Sequence, residues 1–215
     1  MVNNCEIDGY LWADAGLNCS HSYLLPIVLL ILKRIKNDLI KLRRSPELFE
    51  LGCGNGSVAN EITKNGWRVL GVDPSKEGIA LARNHYPHLE LYEGSAYDNL
   101  AIKYGVFPVA ISLEVVEHVY APRKFAATLF SLVEPGGVAI ISTPFHGYWK
   151  NLVLALSGRM DSHFTALWDH GHIKFWSIRT LTRLLNEVGF VDIKILRIGR
   201  ISILAKSMIV IAQRP

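Results

Sequence analysis

Acidic residues stand at the ends of two predicted strands, beside a glycine-rich turn. The run Phe-Glu-Leu-Gly-Cys-Gly-Asn-Gly at 49–56 places Glu50 just before glycines at every second position. Glycine has no Cβ, so the backbone of such a turn can approach a ligand closely. A second apolar run, 67–72, ends at Asp73, whose carboxylate can accept hydrogen bonds from both hydroxyls of a ribose. The pattern predicts a site for a cofactor that contains a nucleoside.

The spacing of the glycines and the nature of residue 50 favour one cofactor over another. Dinucleotide-binding turns have the form GxGxxG, whereas this turn has the form GxGxG. A carboxylate directly before the turn would repel a pyrophosphate, since like charges at close range cost free energy. Glu50 suits a ligand with a cationic amine instead. The residues therefore favour S-adenosylmethionine, which has an amine, a sulfonium and no phosphate, over NAD.

Alternating strands and helices must position these residues. Apolar runs at 69–72, 89–92, 106–113 and 138–142 predict strands, and 57–65, 75–85 and 124–132 predict helices between them. Two more strands, 191–195 and 207–212, follow a helix at 177–186. Repeated βα units form a parallel sheet covered by helices on both faces. Ligands bind beyond the carboxyl ends of such strands. Asp73, residues 93–95 and Glu114 all fall at those ends.

Several motifs together resemble the class I S-adenosylmethionine-dependent methyltransferases, in the branch that includes the ubiquinone-biosynthesis O-methyltransferases. They are the glycine-rich run 49–56, Val72-Asp73, Gly94-Ser95-Ala96, residues 112–119 (Ser-Leu-Glu-Val-Val-Glu-His-Val) and residues 132–137 (Leu-Val-Glu-Pro-Gly-Gly). The resemblance covers about residues 45–145 well and the remainder loosely. It implies an α/β fold with a Rossmann-like seven-stranded sheet, mostly parallel with an antiparallel last strand.

The resemblance also implies a role for each motif. Glu50 and the glycine-rich backbone would hold the methionine moiety, Asp73 the ribose, and Ser95 the border of the adenine. Many relatives have aspartate where this chain has Ser95, so charge assistance to the adenine is weaker here. The implied cofactor-binding residues are Glu50, Gly52, Cys53, Gly54, Gly56, Asp73, Pro74, Ser95, Ala96, Leu113 and Glu114.

Methyl transfer from a sulfonium requires alignment of nucleophile, methyl group and sulfur. A base helps when the acceptor is a hydroxyl, whose proton must leave. Histidine titrates near neutral pH, and the histidines considered for this role are His118, His146, His163, His170 and His172. We predict His146, His118 and Glu114 as the catalytic residues.

Glu114, Glu117 and His118 are spaced at i, i+3 and i+4, which would place them on one face of a helix. In some members of the resembled family, a similar Glu-x-x-Glu-His group binds a divalent metal. Residues 169–172 (Asp-His-Gly-His) offer further ligands. Other members use these residues to hold the helix in place, so no metal is assigned, and a divalent metal remains an open alternative.

The chain is predicted to be one methyltransferase domain with four regions. Residues 1–44 form N-terminal cap helices, 45–143 the cofactor-binding core, 144–176 a lid over the substrate, and 177–215 a C-terminal helix and strands. Pro26 is predicted to open a helix with a basic outer face. Tyr10, Trp12, His21 and Tyr23 are expected to cover the cofactor.

Composition restricts the class of protein. A chain of 215 residues that is 50% hydrophobic and 20% charged is globular, and a net charge of +4 does not indicate nucleic acid. Three cysteines, Cys5, Cys19 and Cys53, without CxxC spacing favour a reducing compartment. Residues 1–16 predict no secretory leader, and the apolar stretch 23–32 is too short to span a bilayer. A cytoplasmic location is expected, with peripheral membrane contact left open.

The leading hypothesis is an S-adenosylmethionine-dependent methyltransferase that acts on a small-molecule or lipid-like acceptor, at oxygen. The lid residues, rich in aromatic side chains, favour an apolar acceptor. The alternatives are an RNA methyltransferase with a Glu-x-x-Glu-His metal site, a nucleotide-binding oxidoreductase, and a non-catalytic protein that keeps the cofactor fold. The absence of a strong basic stripe outside the first helix disfavours RNA.

Overall fold

A seven-stranded sheet organises the computed structural model, which describes residues 14–17, 20–164, 166–168 and 171–215. The strand order is β3-β2-β1-β4-β5-β7-β6. The strands are β1 Glu47–Leu51, β2 Arg68–Asp73, β3 Glu90–Glu93, β4 Phe107–Leu113, β5 Val133–Pro144, β6 Val191–Ile198 and β7 Ser207–Gln213. Strands β1 to β5 are parallel, and β7 pairs antiparallel with both β5 and β6. The predicted fold class is confirmed.

Helices cover both faces of this sheet. They are α1 His21–Lys41, α2 Ser57–Lys64, α3 Lys76–His85, α4 Leu100–Tyr104, α5 Pro122–Leu132, α6 Tyr148–Leu156, α7 Met160–Phe164 and α8 Ile178–Glu187. Successive strand residues point to opposite faces, so Leu48 and Phe49 of β1 belong to different core clusters. One cluster packs α5 and α8 against the sheet, and the other packs α1, α2 and α3. Both faces of the central strands are therefore buried, as their continuous apolar runs predict.

The first helix begins earlier than predicted. Pro26 lies inside α1 rather than at its start. Leu24, Leu25 and Val28 are all buried, and this apolar stripe extends the helix toward His21. Burial of that stripe outweighs the one backbone hydrogen bond that proline removes. The predicted cap residues Tyr10 and Trp12 lie outside the described residues, as do Cys5, Cys19, Asp169 and His170.

The segment after β4 is a turn, so the expectation that Glu114, Glu117 and His118 share one helical face is wrong. Glu114 has a φ of 57°, in the left-handed region that ends a strand and prevents a helix from starting there. The carbonyl of Glu117 accepts hydrogen bonds from Ile173 N (2.9 Å) and Lys174 N (2.9 Å). Because the Glu117 carbonyl is hydrogen-bonded to the 144–176 segment, it does not accept a hydrogen bond within a helix. The next helix begins at Pro122.

Within the described residues, no helix combines the length and apolar character needed to cross a membrane.

Gly52 provides a test of the packing beneath the glycine-rich turn. Its φ is 89°, and a Cβ there would overlap Val115 Cγ2. We expect Gly52→Ala to lower the free energy of unfolding by about 3 kcal/mol, from a left-handed alanine plus overpacking. Gly136 has a similar φ, 80°, with open space around it, so Gly136→Ala should cost only about 1 kcal/mol. Urea unfolding measures both, and equal losses would contradict the packing explanation.

Candidate active site

One cavity of about 1580 Å³ opens at the carboxyl ends of the parallel strands and continues under the lid. It brings together most residues that the sequence predicts for cofactor and catalysis. The predicted residues that line it are Glu50, Gly52, Cys53, Asp73, Pro74, Ser95, Ala96, Leu113, Glu114, His118 and His146. Gly54 and Gly56 are not on its wall. The volume exceeds that of common single-ligand pockets, so it offers room for two molecules side by side.

Glu50 is the buried acid of this cavity. It is only 2% exposed, and its Oε2 makes no hydrogen bond within the described part of the chain. Burial, and then the neighbouring Asp73, raise the pKa of Glu50 well above its ordinary value. An unpaired buried carboxyl group costs free energy. A cationic amine in the cavity would supply the missing partner, so this position fits the amine of S-adenosylmethionine.

Asp73 fixes the glycine-rich turn as well as facing the cavity. Its Oδ2 accepts a hydrogen bond from Gly54 N at 2.8 Å, and its Oδ1 accepts one from Ser75 N at 2.8 Å. Each carboxylate oxygen has a further lone pair. Gly54 therefore contacts the Asp73 carboxylate and does not line the cavity itself. Gly56 begins α2 with a φ of 76°, and a Cβ there would lie 2.8 Å from Leu91 Cδ1, so its glycine is required by packing.

Ser95 and Cys53 occupy the neighbouring wall of the cavity. The backbone N–H of Ser95 donates to Asp98 Oδ2 at 2.8 Å, and Ser95 Oγ accepts from Tyr97 N at 3.2 Å. Asp98 therefore shapes this loop from the position three residues after Ser95. Burial raises the pKa of the Cys53 thiol well above its ordinary value, so the thiolate required of a nucleophile is disfavoured.

Glu114 lies where the turn after β4 meets β5. Its Oε1 accepts a hydrogen bond from Ser142 Oγ at 2.8 Å, and its backbone N–H donates to Ser142 Oγ at 3.0 Å. Burial raises the pKa of Glu114 to about 7, against the opposing effects of the Ser142 hydrogen bond and of Lys150. A carboxyl group with such a pKa can exchange a proton near neutral pH.

His146 faces the cavity from the start of the lid. Its ring stacks on Phe164 at 5.8 Å between centroids and meets Phe175 edge-on at 5.0 Å. Burial, together with Lys150 and His163, lowers the pKa of His146 to about 4. The imidazole is therefore neutral at pH 7, and within the described residues its Nδ1 has no hydrogen-bond partner.

Glu117, His118 and His172 form a second cluster at the cavity edge, with ligand atoms all within 4.8 Å of one another. His172 Nε2 lies 3.9 Å from Glu117 Oε1. Glu117 is 1% exposed, and neither of its carboxyl oxygens makes a hydrogen bond of normal geometry among the described residues. Burial and Glu114 raise the pKa of Glu117 well above its ordinary value. One carboxylate and two imidazoles fit a divalent transition metal. Glu114 is not part of this cluster, and its carboxyl group is hydrogen-bonded to Ser142 Oγ.

Sequence reasoning missed several residues on the acceptor side of the cavity. They are Lys150, Arg200, Lys206 and Ser207. The one available signal was Lys150, a single cation within the apolar run 148–156. Arg200, Lys206 and Ser207 reach the cavity only because β7 is inserted between β5 and β6. The Tyr23 hydroxyl lies 3.1 Å from Ser207 Oγ, a contact across 184 residues of sequence.

Comparisons with known proteins identify the family of this chain. A family model described as "Methyltransferase domain" matches residues 27–195. The ubiquinone biosynthesis O-methyltransferase of Rhodopseudomonas palustris (strain BisB18) is 31% identical over 148 residues, which cover 65% of this chain and 56% of that protein. The chain thus spans about half the length of the curated relatives it matches.

Solved structures share the fold. The DszA carbon methyltransferase superposes with a TM-score of 0.67 at 15% identity, covering 92% of this chain and 55% of that one. A phosphoethanolamine N-methyltransferase of Haemonchus contortus, solved with S-adenosyl-L-methionine, gives a TM-score of 0.57 at 14% identity, over 80% of this chain and 49% of that one.

A Rossmann-like sheet whose acidic strand ends share one cavity defines the class I S-adenosylmethionine-dependent methyltransferases. The chain belongs to the methyltransferase-domain family.

Glu50→Gln should separate binding from stability. Above pH 4.5 the unfolded chain loses the Glu50 proton while the folded protein keeps it, because the folded pKa is raised. The free energy of unfolding of the wild-type protein therefore falls as pH rises through this range. Glutamine does not ionise, so the variant does not lose this stability. We expect a higher melting temperature at pH 8 but about 10- to 100-fold weaker binding of S-adenosylhomocysteine, from loss of the charged hydrogen bond. Calorimetry with Glu77→Gln, an exposed control, checks this; unchanged affinity would contradict it.

The metal cluster can be tested without an activity assay. We expect the protein to bind one Mn²⁺ per chain, and Glu117→Gln to weaken that binding at least about tenfold, because the carboxylate ligand is lost. Titration calorimetry measures the affinity. Glu114→Gln is the matched control, since Ser142 holds that carboxyl group. Absence of saturable binding to the wild-type protein would show that the cluster is purely structural.

Proposed function

We propose that this protein transfers a methyl group from S-adenosylmethionine to an oxygen of a small-molecule or lipid-like acceptor. The observation that carries the proposal is the single cavity that Glu50 and Asp73 share and that continues past Glu114 under the lid. S-adenosylmethionine supplies the methyl group. In this proposal, Glu50 binds the amine, Asp73 binds the ribose hydroxyls, and Ser95 and Ala96 border the adenine.

The chain's own residues then handle the proton of the acceptor. Glu114 lies on the wall between the cofactor half and the lid half of the cavity, and its pKa of about 7 suits a general base. Neutral His146 lines the cavity and orients the acceptor through contact with its ring. His118 lines the cavity nearby, in contact with the His172 ring, and is assigned to positioning.

The choice of oxygen rests on the curated relatives named O-methyltransferases. Fold similarity does not distinguish which atom is methylated, since the solved structures are named for methylation at carbon and at nitrogen. The apolar lid supports a lipid-like or aromatic acceptor, because Val153, Leu154, Phe164 and Phe175 all line the cavity.

A methyl-transfer screen tests the proposal directly. Transfer of a labelled methyl group is measured to phenols, catechols, hydroquinones, sugars and short RNA, with and without a chelator. We expect transfer to hydroxyl groups of the aromatic acceptors and none to RNA. Transfer to RNA would favour the nucleic-acid alternative, and binding of S-adenosylhomocysteine without any transfer would favour a non-catalytic protein.

The pH dependence of the rate tests the assignment of Glu114. Only the ionised carboxylate accepts a proton, so kcat should rise with pH through about 7. Glu114→Gln should lower kcat by about 100-fold and abolish this rise. His146→Ala is the matched variant: its imidazole is already neutral above its pKa of about 4, so kcat should fall without a shift of the profile. A Glu114→Gln profile identical to wild type would remove Glu114 as the base.

A further inference from the structure

The charges that line the cavity are divided between its two halves. The acids are Glu50, Asp73, Glu93 and Glu114, at the ends of β1, β2, β3 and β4. The cations on the lid side are Lys150, Arg200 and Lys206, which belong to α6 and to the loops that flank β6 and β7. Lys76, at the start of α3, is the cation on the acidic side. The acidic half of the cavity therefore favours a cationic ligand group, and the lid side favours an anionic one.

Lys150 is the inner member of the cationic group. It is only 9% exposed, and its Nζ donates to the carbonyl oxygens of Phe145 at 2.8 Å and Lys206 at 3.5 Å. An ammonium group has three protons to donate, so one remains after these contacts. The group is held in place by backbone oxygens rather than by a carboxylate.

Arg200 and Lys206 are the outer members. Both side chains belong to exposed residues that also line the cavity. Lys206 Nζ lies 5.2 Å from the centre of the Tyr23 ring. Among the described residues, neither cation forms an ion pair with an acid, although arginines elsewhere on the surface do, such as Arg68 with Glu90. The cationic group therefore has its charge available to a ligand.

Apolar side chains stand directly beside the cations. Val153, Leu154, Phe164, Phe175 and Leu204 line the same half of the cavity. A ligand complementary to this half of the cavity combines an apolar or aromatic body with a negatively charged group. Burial of Lys150 strengthens its attraction for such a ligand, since screening by water and salt is weaker there.

We propose that the methyl acceptor carries an anionic group, a carboxylate or a phosphate, which Lys150, Arg200 and Lys206 bind while its apolar body lies against the lid. This inference rests on the proposed function and names the substrate class of the same site. The negative end of the acceptor is held on the lid side, which leaves its hydroxyl group free to face Glu114 and the acidic half. The cationic group also keeps a second cationic ligand out of this half.

Matched ligands that differ only in charge test the inference. The protein is saturated with S-adenosylhomocysteine and titrated in a calorimeter with caffeate, with its neutral analogue caffeamide, and with phenyl phosphate. We expect the anions to bind at least tenfold more tightly than the amide, and 0.5 M NaCl to weaken only the anions. Because phenyl phosphate has a different apolar body from caffeate, phenol serves as its neutral reference.

Substitution of the outer cations assigns the preference to the site. The double variant Arg200→Gln, Lys206→Gln should bind the anions as weakly as the amide and leave affinity for the amide and for S-adenosylhomocysteine unchanged. Lys150 is kept because it supports the backbone. Arg179→Gln, Lys194→Gln removes the same charge from exposed positions away from the cavity and should change nothing.

Three results would overturn the inference: equal binding of caffeate and caffeamide, an unchanged anion preference in the double variant, or loss of S-adenosylhomocysteine affinity there, which would assign the cations to the cofactor carboxylate. Failure of the proposed function looks different. Anions would then bind preferentially while no labelled methyl group reaches any acceptor. Equal kcat/KM for caffeate and caffeamide would leave the methyltransferase intact and remove the anion site.

Discussion

The parallel direction of β1 to β4 is the constraint on which the site depends. Each strand has an acid within one residue of its carboxyl end, and only strands that run the same way bring these ends to one edge. Glu50 is the costly member, because it is buried without a protein partner for Oε2 among the described residues. The core on both faces fixes the strands and thereby holds this acid in place. The stability of the sheet thus offsets the cost of this buried acid.

Local patterns account for the parts of the molecule that sequence could predict. The buried strands are continuous apolar runs, and Gly52 and Gly56 adopt the positive φ angles that glycine tolerates. These features are set by neighbours in sequence, so the fold class, the cofactor edge and most strand bounds follow from them. The reason for Gly56 was different from the expected one, since it accommodates Leu91 and begins α2 rather than lining the cavity.

Contacts between distant segments account for what sequence could not predict. The left-handed φ of Glu114 separates it from Glu117 and His118, and His172 joins those two from the lid. Spacing alone indicated a helix, because i, i+3 and i+4 positions coincide only if the backbone is helical. The cationic group likewise draws on two segments, α6 and the connection between β6 and β7, which lie side by side only in the folded protein. Pro26 within α1 shows the same effect, with burial deciding against local propensity.

The insertion of β7 between β5 and β6 also sets an order of assembly. β6 precedes β7 along the chain but is linked to the rest of the sheet through it. Pairing such as Ser142 with Ile209 needs the C-terminal segment of the chain, which is synthesised after β1 to β4. During synthesis the edge of the sheet that carries the acids can therefore form before β7 is available to pair with β6. The part of the cavity that Arg200, Lys206 and Ser207 line is completed last.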